Sequence, residues 1–405
     1  MAKSLIISNK RPLWPLFIIS LALLGTGCKK DSVANAPAAT TYLKEFGDWA
    51  TQYSPNYLEQ RPDGSFLVVG GEGGNRPMML RIGKNGNLVW NKFISNDTFL
   101  LWTILPNNDG TYVVNYPNKY LISQIDTMGN VLAKNEFFKD PDNYNALGPV
   151  INGPNGNYIS SMSNGAYTGA TSHNYILTFN NSLKLVDSVD IKDYPLLAGK
   201  TLSFNVCQYD NLGNYYITGQ KLARKVWSWS DNQYLYAAKL GPRRKWAINV
   251  IDTADVQASF QEVYQLVTKD TSLVICATRI DYSKGSYSVF VAKVDKNMNL
   301  LWANRYEEPG VSSSPYTMGF SNDSGFVITG NSTAGLNSEK PYVLRLDKNG
   351  NKLWSKTYPI PGYGQLCYAV ELKEGGYAFV GNTTSFGNVK KNQTLFIKTD
   401  AQGNY

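Results

Sequence analysis

Four cysteines and one histidine bound the nucleophilic and metal chemistry open to this chain of 405 residues. Cys207, Cys276 and Cys367 each stand in an apolar, strand-like run, as in Leu273-Val274-Ile275-Cys276-Ala277. A thiol in such a run behaves as a small buried hydrophobe. These three cannot all pair with one another, and no CxxC or zinc spacing occurs. The histidine, His173, follows Gly169-Ala170-Thr171-Ser172 and reads as a loop residue. Any histidine-dependent triad or metal cluster would have to be built around it. Glu307 and Glu308 are adjacent, so on an extended segment their carboxylates diverge. There is no GxSxG, P-loop or dinucleotide fingerprint. The sequence therefore names no catalytic residue, cofactor or metal ligand.

Cys28 has a different setting. Lys3, Lys10 and Arg11 precede an apolar run from Leu13 to Leu24, interrupted by Pro15 and Ser20 and followed by Gly25-Thr26-Gly27-Cys28. The run is short for the ~30 Å of a bilayer core, so residues 1–27 read as an export signal. The segment Leu24-Gly25-Thr26-Gly27-Cys28-Lys29-Lys30-Asp31 resembles the lipobox of bacterial lipoproteins, in particular those of Bacteroidota, with Gly25 in place of the usual Leu. The resemblance implies a lipid on Cys28 and an outer-membrane location, facing the periplasm or the surface. Ordinary signal-peptidase cleavage, giving a secreted protein, is the alternative. Residues 28–40 then form a polar, Ala-rich tether. Removal of the signal lowers the net charge from +8 to about +5. No basic run has interleaved aromatics, so nucleic acid is not an expected partner.

What must position any functional residues is a repeat. The chain is 13% aromatic and 17% charged, with 27 Tyr and 35 Gly, a composition for strands and tight turns. A turn followed by an aromatic or aliphatic β-run recurs seven times, as in Asp63-Gly64-Ser65-Phe66, Asp323-Ser324-Gly325-Phe326 and Glu374-Gly375-Gly376-Tyr377. A second motif, strand, turn and often Trp, also recurs seven times; Val343-Leu344-Arg345-Leu346-Asp347-Lys348-Asn349-Gly350-Asn351-Lys352-Leu353-Trp354 is its clearest copy. Each unit thus predicts four strands; in the sixth these are Tyr316–Phe320, Phe326–Gly330, Tyr342–Asp347 and Leu353–Tyr358. Four-stranded units of this length are blades that bury their faces only by stacking around an axis. Residues 41–405, about 52 per blade, are expected to form an all-β, seven-bladed β-propeller of antiparallel blades. The chain ends at Tyr405, before the last outer strand, and Tyr42-Leu43-Lys44-Glu45-Phe46 is the strand expected to complete that blade. The repeats resemble those of secreted Bacteroidota propeller lipoproteins. In architecture they also resemble quinoprotein and WD-repeat propellers, without the vicinal cysteines or histidines that would imply a quinone.

Two recurring features admit a structural and a chemical reading. The Asp-Lys-Asn-Gly-Asn turns cluster oxygen atoms as a calcium loop does, but Gly83 replaces the Asp in the first blade and Met298 the Gly in the fifth, so they read as turns. Trp90, Trp246, Trp302 and Trp354 share one blade position, which blade packing explains. Binding is expected instead on the face opposite these turns, where the longer connections emerge. The segment Leu222 to Gln233 is the longest excursion and carries Arg224, Lys225, Trp227 and Trp229. Trp49 and Tyr53 should emerge on that face, with Tyr144, Tyr316 and Tyr363 in or beside other connections. Such aromatic and cationic groups suit a glycan or a protein partner, although Trp227 and Trp229 could serve only to pack the blade top. The expected function is a monomeric, non-catalytic binding module. The alternatives are a polysaccharide-acting hydrolase or lyase, which needs carboxylates ~5–10 Å apart on that face, and a structural subunit of an envelope complex.

Overall fold

The computed structural model describes residues 40–46, 53–72, 76–94, 103–116, 121–136, 145–164, 173–190, 202–210, 212–222, 233–241, 246–253, 258–334, 339–384 and 393–405. Described strands form seven antiparallel sheets of four strands each, the blades of a propeller. In blade one the strands run outward from the axis as Tyr53–Gln60, Phe66–Glu72, Arg76–Ile82 and Leu88–Phe93. Blade six has the four expected strands, but its innermost one is longer, Ser312–Phe320. Pro315, one residue before the expected start, pairs with Gly330 beside a β-bulge on an edge strand, where proline is tolerated. The last blade takes its outer strand from the other end of the domain: Tyr42–Phe46 pairs antiparallel with Gln393–Thr399, Tyr42 opposite Lys398 and Phe46 opposite Thr394.

Local turn chemistry builds the blades. In the outer turn of blade six, Asp347 Oδ1 accepts from the backbone N–H of Asn349 and of Asn351, each at 2.8 Å, and Oδ2 accepts from Asn351 Nδ2 at 2.8 Å. Asp126, Asp295 and Asp400 make the same clamp. The Asn351 amide foremost holds the Asp347 carboxyl below its ordinary range. Both carboxylate oxygens are engaged within the turn, which is the turn reading of this motif. In blade four the inner turn repeats this clamp with Asp210 and Asn214, but in four other blades the inner turn is tied by a cation on the third strand. Arg345, 4% exposed, reaches Asp323 at 2.6 Å and donates from Nε to the Tyr377 hydroxyl of the next blade at 2.9 Å. Arg81–Asp63, Lys293–Asp270 and Lys398–Glu374 repeat the tie.

Blades pack through apolar faces and then latch. Val274, Cys276 and Val291 of blade five, for example, meet Phe326, Ile328 and Leu344 of blade six. At the outer edge, Asn304 Nδ2 and the Tyr306 hydroxyl donate to the Gly350 carbonyl of the following blade, and the Tyr358 hydroxyl donates to Gly403. Gly350 has φ +82°, and a Cβ there would stand 2.8 Å from the Trp302 ring. Trp354 lies over Gly403 in the same way. These two tryptophans are therefore packing residues; the Trp246 side chain lies outside the described residues. The ring closes by the same means. The Tyr42 hydroxyl donates to the Lys84 carbonyl, Phe46 joins the core of blade one, and Gln60 bridges to Glu374 and to the Lys373 N–H.

Two outcomes follow from this packing. Gly350→Ala should lower the denaturation midpoint more than Gly110→Ala. Both positions have positive φ, which costs about 1–2 kcal/mol for alanine, but nothing lies within 4 Å of Gly110, whereas at Gly350 the Trp302 latch must also move. Equal losses would show that the indole contact contributes nothing. The second concerns Glu45 on the closing strand. Its Oε1 has no hydrogen-bond partner among the described residues, and burial raises its carboxyl from 4.5 to about 7. The unfolded chain releases this proton at the lower value. Between those values the folded state binds more protons, so this group's contribution to stability is lost as pH rises through the window. Glu45→Gln removes the titration, and its melting temperature should gain on the parent's from about pH 4.5 to about pH 7.5. Parallel pH profiles would contradict the assignment.

Candidate functional site

The strand nearest the axis is irregular in six blades. Its pairing shifts between Pro55 and Tyr57, Leu147 and Val150, Phe204 and Val206, Gln261 and Tyr264, Pro315 and Thr317, and Leu366 and Tyr368. A bulge leaves an extra residue outside the alternation of the sheet and re-aims the strand. In blades one, six and seven the extra residues are Asn56, Tyr316 and Cys367. The bulge presses the inner strand onto its neighbour: a Cβ on Gly330 would lie 1.9 Å from the Ser314 carbonyl oxygen, and one on Gly381 equally close to that of Gln365. Only glycine fits there. Cys367 does not supply a nucleophile, because burial pushes its thiol up to about 12 and so keeps it protonated at neutral pH.

Between blades five and six the bulge borders a slot of about 170 Å³. It opens on the face that carries the longer connections. Blade five contributes Thr278, Ile280 and Tyr287; blade six contributes Ser312, Ser314 and Tyr316 from its innermost strand, Asn331 and Thr333 from its second, and Glu339 before its third. Ser312 Oγ accepts from the Tyr287 N–H at 3.1 Å, and Asn331 Nδ2 donates to Glu339 Oε2 at 3.1 Å. Tyr287 is 43% exposed at the mouth. The lining is thus rich in hydroxyls, with one carboxylate oriented by an amide and aromatic rings contributed from both blades. This chemistry orients a polyhydroxylated or peptide-like ligand. Glu339 is the one carboxylate among the lining residues. Two-carboxylate glycoside hydrolysis would require a second.

Of the residues singled out from sequence, Tyr316 lies in this slot. Tyr363 stands, as expected, in a connection, just before the innermost strand of blade seven, Gly364–Glu371, and its hydroxyl donates to Gln365. Tyr53 opens the innermost strand of blade one opposite Glu72, with its side chain outside the described residues. Cys28, Trp49, Tyr144, Arg224, Lys225, Trp227 and Trp229 lie outside the described residues altogether. The excursion that carries the last four is anchored by the pair Leu222 and Gln233, which places it between the second and third strands of blade four, as its length required. His173 is not a loop residue: it opens the third strand of blade three opposite Asn164, the last rung of that strand's pairing with Tyr158–Asn164. Ser312, Ser314, Asn331 and Glu339 were not singled out. The glycine inside the second-strand run Phe326–Thr333 was the available signal, since a strand glycine marks a bulge or a close backbone approach.

No protein-family model matches the chain, and no curated protein matches it in sequence. Solved structures do match in fold. A streptogramin B lyase is 10% identical, with 90% of this chain and 100% of that one covered and a TM-score of 0.52. A catalytically inactive histidine-to-alanine variant of virginiamycin B lyase from Staphylococcus aureus, with quinupristin, is 12% identical, with 88% and 99% covered and a TM-score of 0.51. A protein of unknown function from Bacteroides caccae is 12% identical, with 72% and 93% covered and a TM-score of 0.44. At these identities the first two show a shared propeller fold and nothing about activity.

Proposed function

We propose that this chain is an envelope-tethered propeller that binds a glycan or protein partner on its connection face without transforming it. The observation that carries the reading is the slot between blades five and six, with its hydroxyl-rich lining, its tyrosines and its single carboxylate Glu339. Trp227, Trp229, Arg224 and Lys225, in the connection that Leu222 and Gln233 bound, would add contact groups to that binding. A lipid on Cys28, followed by the tether of residues 28–40, would anchor the protein while holding the propeller off the membrane. The lyase-like propellers share the fold; this chain has one histidine, His173, for any histidine-dependent step.

The test is a glycan-array and envelope pull-down screen with the whole protein. Trp227→Ala combined with Trp229→Ala, and separately Tyr287→Ala combined with Glu339→Gln, should each reduce capture at least tenfold, about 1.4 kcal/mol. Melting temperature should hold. Asn85→Ser with Asn349→Ser, on the opposite face, should leave capture intact. Capture that survives both sets would reject the connection face as the binding surface. Release of Cys28→Ala from the membrane fraction would support the anchor, and its retention there would reject it.

A further inference from the structure

The blade-one tryptophan departs from the latch made by its repeats. Trp90 pairs with Arg81 in the register of Trp302 with Lys293 and Trp354 with Arg345. Trp302 and Trp354 close on the turn glycine of the next blade. The corresponding glycine after blade one, Gly129, instead meets Met79 first: a Cβ there would stand 2.9 Å from Met79 Sδ, with Ile94 next. The difference lies two residues before the third-strand cation, where Met79 replaces the shorter Val291 and Val343. The longer side chain occupies the place over the glycine. Trp90, packed on the core that blades one and two share, then lines an open cleft of about 250 Å³ on the turn face, together with Arg61, Asp63, Arg81 and Thr127.

Arg61 also breaks the repeat. The residue opening the same turn in the other blades is Asn107, Gly153, Asp210, Thr268, Ser321 or Leu372, none of them cationic. Its position is built: Nη1 donates to Glu59 at 3.0 Å and to the Tyr112 hydroxyl at 2.7 Å, and that hydroxyl donates to Glu59 at 2.8 Å. Arg81 is held by Ser65 and Asp63. Each guanidinium is fixed by one carboxylate, Arg61 by Glu59 and Arg81 by Asp63, and beside the indole each has N–H groups left over for a ring that carries an anion.

We infer that this cleft binds a carboxylated sugar ring, a uronic acid residue, with the ring on Trp90, its carboxylate on Arg61 and its hydroxyls on Asp63 and Thr127. The volume is just below that of pockets for drug-sized ligands, about 300 Å³ and above, so it suits a single ring. A neutral sugar would bring no charge to the Arg61 donors that Glu59 and Tyr112 do not take. An aromatic acid would offer Asp63 and Thr127 no hydroxyl. Hydrogen bonds from Ser65, with Arg81 beside it, hold the Asp63 carboxyl down at about 2, so it accepts hydroxyls and keeps the ligand carboxylate at the Arg61 end. The site is on the face opposite the blade five–six slot and stands or falls independently of it.

Calorimetric titration of the whole protein with sodium glucuronate tests the inference, with glucose and benzoate as controls. Glucuronate should bind at least tenfold more tightly than either control. Met79→Val lets Trp90 close on Gly129 as Trp302 closes on Gly350, and Thr127→Trp fills the cleft from its rim. Each should weaken glucuronate binding tenfold or more at an unchanged melting temperature; should Met79→Val unfold the protein, the Thr127 variant alone decides. Trigalacturonate binding more tightly than glucuronate would support the site with an acidic polysaccharide as its source, and equal affinity would support it with a free uronate. No glucuronate binding, equal binding of glucose, or binding that survives the folded variants would overturn the inference.

Discussion

Everything in this fold depends on closing a ring of sheets that cannot stand alone. Each blade has two apolar faces, and each face is covered only by a neighbouring blade. The first and last blades must therefore meet, and their meeting is fixed by a strand from the opposite end of the domain. Tyr42–Phe46 completes the sheet of the last blade by main-chain pairing and covers blade one with Tyr42 and Phe46. The edge that would otherwise remain is removed, and with it a template for aggregation.

The same constraint makes the two faces unequal. On the turn face, Asp–Asn clamps, third-strand cations and outer-strand tryptophans recur because they hold a blade to its own turns and, at Trp302 and Trp354, to the next blade. On the connection face the chain is less constrained, and the slot there is assembled from two blades and an inner-strand bulge. Departures from the repeat open space on either face. Met79 in place of valine takes the place over Gly129 and leaves an edge of Trp90 to a cleft, and the bulge at Tyr316 brings a tyrosine into a polar slot.

The blades were legible in sequence because their turns are local. Asp347 and Asn351 fold the outer turn by contacts within five residues, so the pattern can be read from one segment, and the closing strand fell on the residues expected. The slot was not legible, because its geometry needs Tyr287 of one blade beside Ser312 of the next and a strand that runs through Pro315. His173 was misread because small polar neighbours hid the first residue of a strand. The four tryptophans read alike in sequence. All three described indoles pack on a core, but Trp302 and Trp354 also close on the next blade's turn glycine whereas Trp90 lines a cleft, a difference set by the length of a buried side chain two residues from its cross-strand partner.

Hydrogen exchange at Leu395–Lys398, in the strand that receives the closing strand, tests ring closure most directly. With Thr41 to Gly47 deleted, protection of these amides should collapse and the melting temperature should fall. Appending the same seven residues after Tyr405 through a short flexible linker should restore both. Unchanged protection and melting in the deletion variant would contradict closure by the N-terminal strand.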